Sequence, residues 1–265
     1  MFPMLAGAGS GKTRVISHKI GYLVEQCGIT PRRISAVTFT NKAAREMQQR
    51  VGRQLGSDKA RGLNISTFHT LGLNILRREL RRLDYKPGFS IFDEQDSATL
   101  IKDLLRKQPN NDETVAAGAQ WRISAWKNDL IDPPEALAQA EDALDTRQAL
   151  LYAAYQRALK AYNAVDFDNL ILLPVQLFRT DVQALEAWQN RIRHLLVDEY
   201  QDTNQAQYEL VKLLVGAGAR FTVVGDDDQS IYAWRGARPE NLARLQDDFP
   251  QLKVIKLEQN YRSSA

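Results

Sequence analysis

The sequence predicts an α/β fold: a parallel sheet domain interrupted by an all-helical insertion. Three observations carry this expectation. Short runs rich in Val, Ile and Leu alternate with helix-spaced segments near both ends of the chain. Those runs lack strict apolar–polar alternation, as strands do when a sheet is covered on both faces. Between them lies a long stretch with helical spacing and no strand pattern.

The elements follow in order. The first helix is marked by Ile16, Ile20 and Leu23, and Gly28 is a natural stop. "ISAVTFT" (34–40) is β-branched and apolar, and "LNISTF" (63–68) places Leu63, Ile65 and Thr67 on one face. Between these strands Ala44, Met47, Val51 and Leu55 recur at helical spacing. From residue 70 the pattern is helical, beginning with Leu73, Leu76, Leu80 and Leu83, with breaks at Pro87, Pro109 and Pro133–Pro134. Strand patterns return in "HLLVD" (194–198), "FTVVGD" (221–226) and "KVIKL" (253–257). Residues 1–69 and 181–260 are thus expected to form the sheet domain, and residues 70–180 the insertion. Pro3 donates no ladder hydrogen bond, so a strand at the start of the chain is expected to be short.

No apolar run approaches the length of a membrane span, and no leader is read at the start of the chain. The single cysteine, Cys27, cannot form an internal disulfide and suits a reducing cytoplasm. Three histidines and one cysteine do not make a zinc site. Charge is unevenly spread. Residues 1–107 carry 19 Lys and Arg against 9 Asp and Glu, a net of +10, while residues 108–265 carry 16 against 23, a net of −7. A basic half suits a polyanionic partner or is a solvated surface; charge alone leaves both open.

The chemistry begins at "AGAGSGKT", Ala6 to Thr13. The phosphate-loop pattern asks for Gly where Ala6 stands, and the rest fits. Gly7, Ala8, Gly9, Ser10 and Gly11 allow a tight turn whose N–H groups point inward, and the helix that follows favours anions at its start. Lys12 is placed to reach the β- and γ-phosphates of ATP, the Thr13 hydroxyl to ligate Mg²⁺, and Arg14 follows in the first turn. Asp198 and Glu199 stand side by side after the apolar run "LLV". Acids at the tip of a buried strand are costly unless a cation sits there; alone the pair could be a solvated strand end, and beside a phosphate loop it reads as a nucleotide hydrolysis site. Asp198 is the expected Mg²⁺ partner, and Glu199 is placed to act as general base on the attacking water.

Six stretches, in this order, resemble superfamily 1 DNA helicases of the Rep/UvrD/PcrA family, with the Rep branch nearest: "AGAGSGKT", "AVTFTNKAAREM", "STFHTLG", "VDEYQDTN", "VVGDDDQSIYAWRGA" and "LEQNYRSS". The resemblance extends along essentially the whole chain. It implies a RecA-like P-loop NTPase domain that hydrolyses ATP and moves 3′ to 5′ on single-stranded DNA. It implies that Gln229 senses the γ-phosphate, that Trp234 stacks on a base with Tyr232 and Arg235 close by, that Tyr261 stacks on adenine and that Arg262 meets the γ-phosphate. It also favours DNA contact by Phe39, which by itself could equally pack inside, and by Thr38, Thr40, Asn41, Thr67 and His69. Trp126 and Lys127 in "SAWKNDL" face DNA or belong to a helical core. In "VDFDNLI" the family more often has a second Asp where Asn169 stands.

The chain departs from the family at both ends. No adenine-reading glutamine precedes the phosphate loop, and residues 261–265 are read as the start of a second motor domain that is missing. The expected partners are single-stranded DNA, that second domain, and replication or repair proteins. The isolated chain is expected not to unwind DNA. The alternatives are a non-catalytic nucleotide- or DNA-binding fragment, the helicase subunit of a recombination nuclease, and a P-loop kinase or other NTPase with no nucleic-acid role.

Overall fold

The apolar runs at the two ends of the chain meet in one parallel sheet. The computed structural model describes residues 4–6, 12–106, 115, 118–216, 220–225, 238, 240–253 and 255–257. In chain order the strands are β1 (Met4–Ala6), β2 (Ile34–Thr38), β3 (Asn64–Thr67), β4 (Ser90–Phe92), β5 (Ala164–Asp166), β6 (His194–Val197), β7 (Arg220–Gly225) and β8 (Ile255–Leu257). The helices are α1 (Lys12–Glu25), α2 (Asn41–Leu55), α3 (Ser57–Ala60), α4 (Phe68–Arg78), α5 (Glu94–Arg106), α6 (Ala119–Asn128), α7 (Pro133–Ala138), α8 (Ala143–Ala161), α9 (Asn169–Thr180), α10 (Val182–Arg191), α11 (Gln205–Val215) and α12 (Glu240–Asp248). The chain divides into two compact units, one of Met1–Leu71 with Phe178–Ala265 and one of Gly72–Leu177. Among the described residues no helix is long and apolar enough to cross a membrane.

The first unit holds the main sheet, ordered β3-β2-β6-β7-β1-β8 with every pairing parallel. All five residues of β2 are buried, as expected for an interior strand covered on both faces. One core cluster joins Ile16, Ile20 and Leu23 of α1 to Ala44, Met47, Val51 and Leu55 of α2, over Ile34, Ala36, Ile65, Leu196 and Val224 of the sheet. The helical spacings read from the sequence are therefore the buried faces. β1 is interior but only three residues long, beginning directly after Pro3 in the sequence. After α1, Gly28 adopts φ 64°, and the Ile29 N–H returns to the Leu23 carbonyl at 2.9 Å, closing the helix end.

The second unit is not entirely helical, which corrects the sequence reading. β4 and β5 form a two-stranded parallel sheet, with Ser90 opposite Ala164 and Phe92 opposite Asp166. Each strand has three residues, too few for a period of two to stand out among helices. The Asn163 side chain secures the pair from below: its amide oxygen accepts from the Lys86 N–H at 2.8 Å, and its amide nitrogen donates to the Lys86 carbonyl at 3.2 Å. A second correction concerns α4, which ends at Arg78, so Leu80 and Leu83 lie in the following turns. Leu83 nonetheless packs against Leu76, Val165 and Leu170. Gly72 is required by close approach, because a Cβ there would sit 1.9 Å from the Leu170 carbonyl oxygen.

The core of this unit also decides Trp126 and Lys127, both of which are buried. Trp126 stacks on Tyr152, with centroids 5.7 Å apart and planes 18° off parallel. The Lys127 ammonium lies 2.5 Å from Asp166 Oδ2, which also accepts from the Tyr155 hydroxyl at 2.9 Å. Asp166 Oδ1 accepts from the Asn169 N–H at 2.9 Å and so starts α9. A DNA-facing role for Trp126 and Lys127 is thereby overturned. The helix turns them onto α8 and β5, where an aromatic ring and a charge paired to Asp166 can be accommodated.

Candidate functional site

The C-terminal ends of parallel strands are where open α/β sheets bind ligands, because helix N-termini and loops converge there. In the first unit that edge collects residues from β2, β3 and β6 together with the start of α1. The Thr13 hydroxyl, in the first turn of α1, donates to Asp198 Oδ2 at 3.0 Å, joining positions 185 residues apart in the chain. Asp198 follows the last residue of β6 and is 2% exposed; its N–H continues the ladder to the Val37 carbonyl at 2.9 Å. The sheet therefore presents this carboxylate at a defined depth, against a helix N-terminus.

Glu199 is half-buried and adopts a left-handed backbone, φ 51° and ψ 47°, which few non-glycine residues do. Its N–H donates to Asp198 Oδ1 at 3.2 Å, and its Oε2 accepts from Gln201 Nε2 at 2.9 Å. The next residues form a 3₁₀ turn, Tyr200–Asp202, closed by the Thr203 hydroxyl on the Tyr200 carbonyl at 2.8 Å. Asn241 of α12 reaches the Thr203 carbonyl at 2.9 Å. Burial holds the Tyr200 hydroxyl far above the ordinary tyrosine range, so it stays protonated.

The neighbouring strand ends carry the other expected contacts. Thr38 pairs with Thr67 across β2 and β3, and both are buried. Phe39 is half-buried, and its ring meets Phe68 edge-on at 5.5 Å, so it packs inside and keeps an open side. The Thr40 hydroxyl caps α2 by accepting from the Ala43 N–H at 3.1 Å, and exposed Asn41 opens that helix. Thr67 caps α4 through the Thr70 N–H at 3.3 Å. His69 is half-buried, and desolvation lowers its pKa, favouring a neutral ring that can donate to a ligand without bringing charge. Several of these polar residues thus hold structure as well as facing this edge.

The structure brings together Thr13, Asp198 and Glu199, and separately Thr38–Asn41 with Thr67 and His69. Lys12 and Arg14 lie in the first turn of α1, and the Arg14 Nε donates to His18 at 3.3 Å. Gly7, Ala8, Gly9, Ser10, Gly11, Gln229, Tyr232, Trp234, Arg235, Tyr261 and Arg262 lie outside the described residues. Gln201 was missed by sequence reasoning, because a glutamine two positions after an acid carries no signal until the 3₁₀ turn folds it back.

A parallel sheet whose C-terminal edge holds a helix N-terminus and two adjacent carboxylates is an open α/β ligand-binding arrangement, and the chain belongs to the UvrD/REP helicase family. Its residues 2–250 match the model of the UvrD/REP helicase N-terminal domain. Among curated proteins it is similar to the ATP-dependent DNA helicase Rep of Escherichia coli (strain K12), at 59% identity over 261 residues, covering 98% of this chain and 39% of that protein. It is similar as well to the ATP-dependent DNA helicase PcrA of Staphylococcus aureus (strain Mu50), at 44% identity over 265 residues, covering 98% of this chain and 36% of that protein. The chain spans about two-fifths of the length of the curated relatives it matches.

Proposed function

We propose that the chain is the N-terminal motor portion of an ATP-dependent DNA helicase that translocates 3′ to 5′ on single-stranded DNA. The 3.0 Å contact between Thr13 and Asp198 carries this reading, because it joins the phosphate-loop threonine to the acid at the strand tip. A hydroxyl and a carboxylate side by side are hard oxygen donors, the set that suits Mg²⁺. Thr13 and Asp198 would hold the ion, which when bound neutralises phosphate charge. Lys12 would draw the β- and γ-phosphates onto the start of α1. Glu199 would take the proton of the attacking water as its oxygen bonds to the γ-phosphorus and the bridging oxygen leaves with ADP. Gln229 and Arg262 complete this site by resemblance, with Tyr261 on the adenine.

Single-stranded DNA would cross the ends of β2 and β3, meeting Phe39, Thr38, Thr40, Asn41, Thr67 and His69, with Trp234, Tyr232 and Arg235 joining from the later loop. A cytoplasmic setting and replication or repair partners belong to the same reading; the first rests on the lone Cys27, the second on the resemblance to DNA helicases. The chain is expected to bind Mg-nucleotide and single-stranded DNA. Calorimetry of Mg-ATP binding to wild type and Lys12→Ala tests the assignment. Wild type should bind and Lys12→Ala should lose most of that affinity, whereas equal affinity in the two would defeat it.

A further inference from the structure

We infer that Gln201 is a positioning residue for Glu199, holding its carboxylate in the orientation from which it accepts the proton of water; this rests on the reading of Glu199 as general base. The backbone of Glu199 is already constrained by its left-handed conformation and by the bond of its N–H to Asp198 Oδ1. That fixes the Cα but leaves the side-chain torsions. Gln201 restricts those torsions, donating from Nε2 to Glu199 Oε2 at 2.9 Å. The amide is oriented with its nitrogen on the carboxylate, since an oxygen there would repel it.

Gln201 can do this because it cannot move away. It is 2% exposed, and its backbone belongs to the 3₁₀ turn closed by the Asp202 N–H on the Glu199 carbonyl at 3.0 Å. Its amide oxygen lies against Gly225, the last residue of β7. A Cβ added at Gly225 would sit 3.0 Å from Gln201 Oε1 and 3.5 Å from the Gln201 backbone nitrogen. The side chain is thus wedged between a strand end and the carboxylate, with one end of the amide on each. Gly225 needs no unusual φ, and a Cβ there would press on the Gln201 amide. Preorganising a reactive group in this way raises the rate without strengthening ground-state binding.

The test uses the full-length helicase, with steady-state ATP turnover and Mg-nucleotide affinity read separately. Gln201→Glu keeps the shape but replaces the donor by a repelling oxygen. It should lower kcat by about tenfold, a fraction of the ~10²-fold or greater loss expected from Glu199→Gln, and leave nucleotide affinity within about twofold. Because Gln201 acts through Glu199, Gln201→Glu should cost nothing further in a Glu199→Gln background. Gly225→Ala approaches the amide from the other side. It should lower kcat severalfold when Gln201 is present and have no added effect on Gln201→Ala, and it decides the matter if Gln201→Glu does not fold. Wild-type kcat in Gln201→Glu alongside lost turnover in Glu199→Gln overturns the positioning role and leaves the base intact. Near-normal turnover in Glu199→Gln overturns both. A loss that persists in the Glu199→Gln background, or that falls equally on nucleotide affinity, marks Gln201 as merely structural.

Discussion

Lys127 shows how far a residue's role depends on where its helix turns it. In sequence it sits beside a tryptophan in a stretch that could serve DNA. In the structure it is fully buried, paired to Asp166 at 2.5 Å and lying over the Tyr155 ring at 4.9 Å. Breaking a buried pair from one side leaves an uncompensated charge, a cost of roughly 3–5 kcal/mol. Lys127→Ala should therefore destabilise the second unit by about that amount in urea unfolding. Lys127→Met together with Asp166→Asn, which removes both charges while keeping an acceptor for the Asn169 N–H that starts α9, should recover much of the loss; no recovery would show that the pair contributes more than charge balance. Asp168, close by, adds a pH dependence. Burial and the neighbouring Asp166 raise its pKa to about 6, against the pull of Lys127 and bonds from Ser124 and Asn128. A carboxyl whose folded pKa is raised contributes stability below its ordinary range and loses it as pH rises through the folded value. Wild type should lose stability relative to Asp168→Asn as pH rises from about 4 to about 7, measured by unfolding at each pH.

At the scale of elements, α2 is a case in which one residue has two candidate duties. Thr40 caps the helix through the Ala43 N–H, and it also stands on the edge where DNA is proposed to lie. Thr40→Ala should cost about 1 kcal/mol of stability as a lost cap. Thr40→Ser should restore it, because the serine hydroxyl caps equally well. Thermal unfolding measures the first duty and oligonucleotide affinity the second; if Thr40→Ala changes stability alone, its DNA role is removed from the reading. The element pattern was largely legible beforehand. The faces Ile16, Ile20, Leu23 and Ala44, Met47, Val51, Leu55 are buried as their spacing indicated. Elements too short for their pattern to stand out were not legible, β4 and β5 among them, nor was the end of α4 at Arg78, past which the leucine spacing runs on into turns.

For the molecule as a whole the charge distribution is the relevant quantity. The first 107 residues carry a net of +10, and the rest a net of −7. If the basic part faces DNA, affinity for single-stranded oligonucleotides should fall steeply with salt, because each phosphate neutralised releases a counterion. Sequence dependence should be slight, since every base offers a face for stacking. Trp234→Ala should weaken binding by about 1–3 kcal/mol if one base stacks there. Fluorescence anisotropy across a salt series checks all three, and salt-independent binding would remove the DNA groove from the proposal.

What the amino-acid sequence determined by itself was local or periodic: the strand runs and the buried helix faces; residues 6–13 and 198–199 it singled out as candidates. The elements follow from spacing along the chain, and the candidates from the side chains that phosphate, magnesium and water would require. Tertiary structure alone decided which distant residues meet. It placed the Thr13 hydroxyl on Asp198 across 185 positions, turned Trp126 and Lys127 into a core, and wedged Gln201 between Glu199 and the end of β7. The reason is physical: a strand's direction and a helix's face can be read from neighbours a few residues away. The partner of a buried polar group is whichever donor or acceptor the packing brings within about 3 Å, and that depends on the fold of the whole sheet.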